Sequence, residues 1–112
     1  MNKIYLSFFV LTLLVTSSCS QDTGVFALAE SEPIETSGDA ADDPALIINF
    51  KNPRSSLFFG TDKTAGVYLY DLKGVKQSFS PLGAINNIDV RQKNLEIYLA
   101  ATNRSNQSIE YW

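Results

Sequence analysis

Three carboxylates fall within five residues in the stretch Gly38-Asp39-Ala40-Ala41-Asp42-Asp43-Pro44-Ala45. Hard divalent cations take oxygen ligands held close together, and an Asp-Asp-Pro corner offers carboxylates and backbone carbonyls at that range. The same residues also suit a plainer role, a solvated acidic turn capping a strand that Pro44 begins. Two bases stand out for a complementary reason. Lys63 and Arg104 occupy Thr61-Asp62-Lys63-Thr64 and Thr102-Asn103-Arg104-Ser105, which match as hydroxyl, Asp or Asn, base, hydroxyl at a shift of 41 residues. Bases in equivalent places of successive units can converge on one polyanion; taken singly they are solvated loop charges.

What the chain lacks narrows the chemistry. With no histidine it holds no Ser-His-Asp triad, no phosphohistidine intermediate and no histidine-liganded zinc. Its one cysteine, Cys19, closes an apolar leader, which leaves the domain without a thiol nucleophile or an internal disulfide. Gly60-Thr61-Asp62-Lys63-Thr64 lacks the glycine spacing and the Gly-Lys-Ser/Thr ending of a phosphate-binding loop. Carboxylates, a few Lys and Arg side chains and any metal they hold remain, and no catalytic residue is assigned from the residues alone.

These groups must be positioned by what lies around them. Met1-Asn2-Lys3 is a short positive start, Ile4 to Val15 is apolar, and Thr16-Ser17-Ser18-Cys19 ends the run with small residues. That is the pattern of a bacterial export signal over residues 1–19, too short to span a membrane. The small residues before Cys19 resemble a lipobox, with Thr16 where Leu is usual, so lipidation at Cys19 and a membrane anchor are expected. The exported chain then faces the periplasm or cell surface, or is secreted. Residues 20–37 are rich in Ser, Thr, Glu and Ala without a sustained period and read as an acidic tether, and residues 38–112 as the folded domain. From Ser20 onward the chain carries twelve acids and eight bases, a net charge of −4 that argues against a nucleic-acid partner.

Within the domain the pattern is one of short strands and turns. Ala45 to Phe50, Ser56 to Thr61, Gly66 to Leu72 and Val75 to Ser80 form one set, with Asp71-Leu72-Lys73-Gly74 as a tight hairpin. The last of these alternates apolar and polar residues and suits a sheet edge. After Ser80-Pro81-Leu82-Gly83 the pattern resumes with Asn86 to Arg91, Leu95 to Thr102 and Ile109 to Trp112. Ile88 and Val90 share one face there, and Leu95, Ile97, Leu99 and Ala101 a second core face. The class is all-β. The repeat also lays Tyr70 over Tyr111, and a period of forty-odd residues with four strands per unit is what a propeller blade produces.

Glu30-Ser31-Glu32-Pro33, Gly38 to Ala45, Gly66 to Leu72, Asn86-Asn87-Ile88-Asp89-Val90-Arg91 and Ala101 to Ser105 follow one another in an order that resembles the β-propeller phytases, the calcium-dependent alkaline 3-phytases. The resemblance covers nearly all of residues 30–112. It implies the first one to two four-stranded blades of a six-bladed β-propeller, calcium as cofactor and calcium-phytate as substrate, hydrolysed as a phosphomonoester. It also implies that Asp42, Asp43, Asn87, Ile88 and Asp89 are metal-ligating positions, with Glu30 a further ligand, and that Lys63 and Arg104 bind substrate phosphate.

Three departures bear on those roles: Thr64 stands where the family often has a second lysine, Ile47 where it has a tryptophan, and the loop from Arg91 to Leu95 is short. The chain is also much shorter than the family's, which leads to the expectation of a fragment inactive alone, since a propeller closes by packing every blade between two neighbours. The competing expectation is a non-catalytic lipoprotein module that binds calcium or a glycan through the acidic corner.

Overall fold

The computed structural model describes residues 24–112, so the leader and Cys19 lie outside the described residues. Among these residues seven antiparallel strands build two sheets. The first sheet has the order β1 (Ala41–Ile47), β2 (Leu57–Asp62), β3 (Gly66–Asp71), β4 (Lys76–Ser80); the second has β5 (Ile85–Lys93), β6 (Glu96–Asn103), β7 (Ser108–Tyr111). The only helical element among the described residues is a single 3-10 turn at Pro53–Ser55. The all-β reading therefore holds, and the sheet order places β4 at an edge as its alternation requires.

The faces follow from residue type. Ala45, Val67, Ile85, Ile88 and Ala101 form the buried core, with Phe59, Leu82, Val90 and Leu99 packed against it. Residues from both sheets contribute, so the sheets pack face to face and bury the apolar side of each. On its other face the first sheet carries an aromatic row: Phe58 stacks on Tyr70 at 5.1 Å, Tyr70 on Tyr68 at 5.9 Å, and Tyr68 lies 4.4 Å from Phe79. Gly60 makes room for it, because a Cβ there would stand 3.4 Å from the Tyr70 ring.

Part of the acidic stretch before β1 lies along this aromatic face. Glu32 accepts a hydrogen bond from Lys76 N–H at 3.1 Å, Glu35 pairs with Lys76 Nζ at 3.0 Å, and Glu35 N–H donates to the Tyr68 hydroxyl at 3.3 Å. The segment has no base of its own, and Lys76 supplies one.

Three strand assignments need correction. The first strand begins at Ala41, not Ala45, so Asp42 and Asp43 belong to a strand and Pro44 does not start it. It stops at Ile47 because Asn49 Oδ1 accepts from the N–H groups of Lys51 and Asn52 and turns the chain. Leu95 does not reach the core face: it sits at the β5–β6 hairpin, where Asn94 takes φ 60, and is fully exposed, while Ile97 is half-exposed. Finally, the β6–β7 turn carries one residue more than the β2–β3 turn. Leu99 therefore exchanges backbone hydrogen bonds with Trp112 in the place where Phe58 pairs with Tyr70, and Trp112, not Tyr111, is the counterpart of Tyr70.

Candidate functional site

The two sheets repeat one local device. On β1 the pairing runs Ala41 with Asp62 and then Pro44 with Gly60; on β5 it runs Ile85 with Asn103 and then Ile88 with Ala101. Each edge strand thus carries one extra residue, a β-bulge, so that Asp42 and Asp43 oppose Thr61 while Asn86 and Asn87 oppose Thr102. A bulge breaks the two-residue alternation and re-aims its side chains. It does so here at the same end of each sheet.

Threonine hydroxyls hold both bulges. Asp43 N–H donates to Thr61 Oγ1 at 2.8 Å, and Asn87 N–H to Thr102 Oγ1 at 3.1 Å. The buried Thr61 reaches further and donates to the Asn86 carbonyl at 2.7 Å. Asp43 crosses between the sheets too: its Oδ2 accepts from Ile88 N–H at 3.0 Å. Asp43, Pro44, Asn87, Ile88, Asp89 and Thr102 consequently line one open cleft of about 560 Å³.

The following turns also repeat. Asp62 Oδ1 accepts from Thr64 N–H, Thr64 Oγ1 and Ala65 N–H, and Asn103 Oδ1 accepts from Ser105 N–H at 2.9 Å. Lys63 N–H donates to the Ala40 carbonyl at 2.9 Å and Arg104 N–H to the Ala84 carbonyl at 2.8 Å. Lys63 and Arg104 therefore occupy equivalent turns beside equivalent bulges. Lys63 Nζ lies 3.0 Å from Asp39 and 3.9 Å from Asp42, whereas Arg104 has no acidic partner among the described residues.

Burial drives the Asp62 carboxyl up, but the neighbouring Thr36 hydroxyl and the hydrogen bonds from the Thr64 side chain and the Thr64 and Ala65 backbone outweigh it and leave the group below its ordinary value. Glu110 is also held low, by hydrogen bonds from Ser108, Asn106 and Asn103. Burial raises Tyr70, whose hydroxyl has no partner among the described residues.

The other expected site residues fall in different places. Asp89 reaches the cleft but also pairs with Arg91 at 3.0 Å. Asp42 lies outside the cleft lining and borders a smaller cavity of about 150 Å³ with Tyr70 and Ser31. Glu30 sits against Gly74, in the β3–β4 hairpin, across the first sheet from β1. The structure thus unites Asp43, Asn87, Ile88 and Asp89, sets Asp42 beside Lys63, and separates Glu30 from both groups.

The oxygen chemistry suits a hard cation: carboxylates from Asp43 and Asp89, the Asn87 amide, the Thr102 hydroxyl, and backbone carbonyls, with no sulfur or imidazole. Asp43 has one carboxylate oxygen engaged by Ile88 and, among the described residues, no group bonded to the other. No three carboxylates come close enough to enclose a metal by themselves among the described residues.

Sequence reasoning passed over Thr61, Thr102 and Asn86. The Thr-Asp/Asn-base-hydroxyl repeat contained both threonines, but the bulges lie 44 residues apart and the turns 41, and no single shift aligns them. Asn86 carries a further signal visible only in the fold, a buried side-chain oxygen without a hydrogen-bond partner among the described residues.

Comparison with known proteins bears on this arrangement. A family model described as Phytase matches residues 4–112. The chain is 37% identical over 87 residues, 72% of its length, to the 3-phytase of Bacillus subtilis strain 168. It spans 22% of that relative's length.

Proposed function

The chain belongs to the phytase family, and from that premise we propose that its two sheets are the first blades of a propeller that binds phytate through calcium and releases phosphate from it. The observation that carries this reading is the repeated bulge and turn, which bring Asp43, Asn87 and Asp89 to one cleft at the end of the sheets that holds Lys63 and Arg104.

Asp43, Asn87, Asp89 and the cleft's carbonyls would hold the cation. When bound, calcium would supply charge neutralisation for substrate phosphates and a water of lowered pKa. The chain's own bases do the rest of the binding. The Lys63 ammonium and Arg104 guanidinium take phosphate oxygens, Arg in a two-pronged contact that a planar fork favours. In the free chain Asp39 and Asp42 occupy Lys63, and a phosphate displaces Asp39, whose carboxylate is almost wholly exposed and gives up little.

On this reading the described residues bind substrate and cation without completing a hydrolytic centre by themselves. The Met1 to Cys19 stretch serves as an export signal with lipid on Cys19, which palmitate labelling lost in Cys19→Ala would reveal. The functional test is paired: calcium-dependent phytate binding by calorimetry beside phosphate release from phytate. Binding without sustained release is expected. Absence of binding removes the substrate from the account, and robust turnover removes its division between binding and hydrolysis.

A further inference from the structure

We infer that Thr61 is the positioning residue that sets the spacing between the two bulges, and so the cation affinity of the cleft; the inference rests on the reading of that cleft as a cation site. Thr61 is almost completely buried. A hydroxyl has one proton to donate and lone pairs to accept with, and Thr61 uses both functions in different sheets. It accepts from Asp43 N–H at 2.8 Å and donates to the Asn86 carbonyl at 2.7 Å.

Those two contacts fix backbone atoms on either side of the cleft. The Asp43 bond orients the residue whose carboxylate lines the cleft and also accepts from Ile88 N–H at 3.0 Å. The Asn86 bond anchors the residue immediately before Asn87, another cleft-lining side chain. Removal of the one hydroxyl unpairs an N–H on the first bulge and frees a carbonyl on the second, so the ligand-bearing strands lose their common reference point. Thr102 holds the equivalent position of the second sheet and likewise accepts from its own bulge, at Asn87 N–H. Cation sites are sensitive to such support, and loss of a residue that orients a ligand commonly costs about 10- to 100-fold in metal affinity.

The experiment uses terbium as a luminescent stand-in for calcium, titrated into the purified chain and its Thr61→Val and Thr61→Ser variants. Valine keeps the shape and removes the hydroxyl; serine keeps the hydroxyl. The expected result is terbium affinity at least about ten-fold weaker in T61V and within about three-fold of the native chain in T61S. Native affinity in a folded T61V overturns the inference, as does an equal loss in T61S, which would trace the effect to packing. A native chain that binds no terbium overturns the cation site itself. If T61V does not fold, resonances of the native chain decide: diamagnetic calcium must move the Thr61 methyl signal along with the Asp43 N–H signal, and an unmoved Thr61 overturns the shared support.

Discussion

The Asp43 carboxylate accepts a hydrogen bond from the Ile88 backbone N–H at 3.0 Å, so a side chain on the edge strand of one sheet closes a backbone group on the edge strand of the next. At the opposite end of the strands Gln92 does something similar, its amide accepting from Ile48 N–H at 2.8 Å and donating to the Ile48 carbonyl at 2.9 Å. Two polar clamps, one at each end, fix how the sheets face each other, and the first is also part of the cleft.

Asp43→Ala should therefore destabilise the chain as well as weaken cation binding. A hydrogen bond to a charged group contributes about 1.5–3 kcal/mol, and loss of that order is expected in urea unfolding. Asp89→Ala, by contrast, removes an exposed carboxylate whose ion pair with Arg91 contributes less than about 1 kcal/mol, so its effect should appear in cation affinity with little change in stability. Equal destabilisation by both would contradict the role assigned to the Asp43–Ile88 bond.

Stability should fall in acid through Asp62. Its folded-state pKa lies below the ordinary value of 3.8, so its contribution is complete above that value and disappears as the pH falls through the folded one. Asp62→Asn places the residue of the equivalent turn, Asn103, in its position. Urea midpoints from pH 2 to 5 should decline less steeply for D62N than for the native chain; parallel curves would refute the assignment.

Lys63→Met and Arg104→Met separate binding from folding. The Lys63 pairs involve exposed carboxylates and contribute no more than about 1 kcal/mol, so melting temperatures should barely change. Phytate affinity should drop about ten-fold for each, as expected for one lost charge-assisted contact. If the bases act on one phosphorylated ring, the double variant should bind no better than the worse single one. Unchanged affinity in both single variants would leave the bases as solvated charges.

Gly74→Ala tests the docking of the acidic segment. Gly74 has φ +84, a conformation costing an L-residue about 1–2 kcal/mol, and a Cβ there would collide with the Glu30 carbonyl. The variant should lose roughly that much stability and expose the chain near Glu30 to limited proteolysis. Native protease resistance would show that the segment does not lie where Gly74 meets it.

Much of this was legible in the sequence because strands announce themselves locally. Alternation in Val75 to Ser80 marked an edge, apolar residues on both faces of Gly66 to Leu72 marked an inner strand, and glycine at 74 marked the hairpin. The bulges were not legible. Asp42-Asp43-Pro44 reads as a turn because acids and proline favour one, and only the partner strand shows that an extra residue has been taken into a ladder. The repeat was visible as two turns, but a one-residue difference between turns displaced Tyr111 from the position of Tyr70. Hydrogen bonds spanning 25 residues, such as Thr61 to Asn86, leave no periodic trace at all.

The most direct test of the account is calorimetric titration of phytate into the chain, with saturating calcium and with excess chelator, for the native protein and Asp43→Ala. Saturable binding is expected with calcium, with its loss in chelator and a large weakening in D43A. Phytate binding of equal strength in chelator, carried by Lys63 and Arg104 alone, would contradict the claim that the paired bulges hold a cation for the substrate.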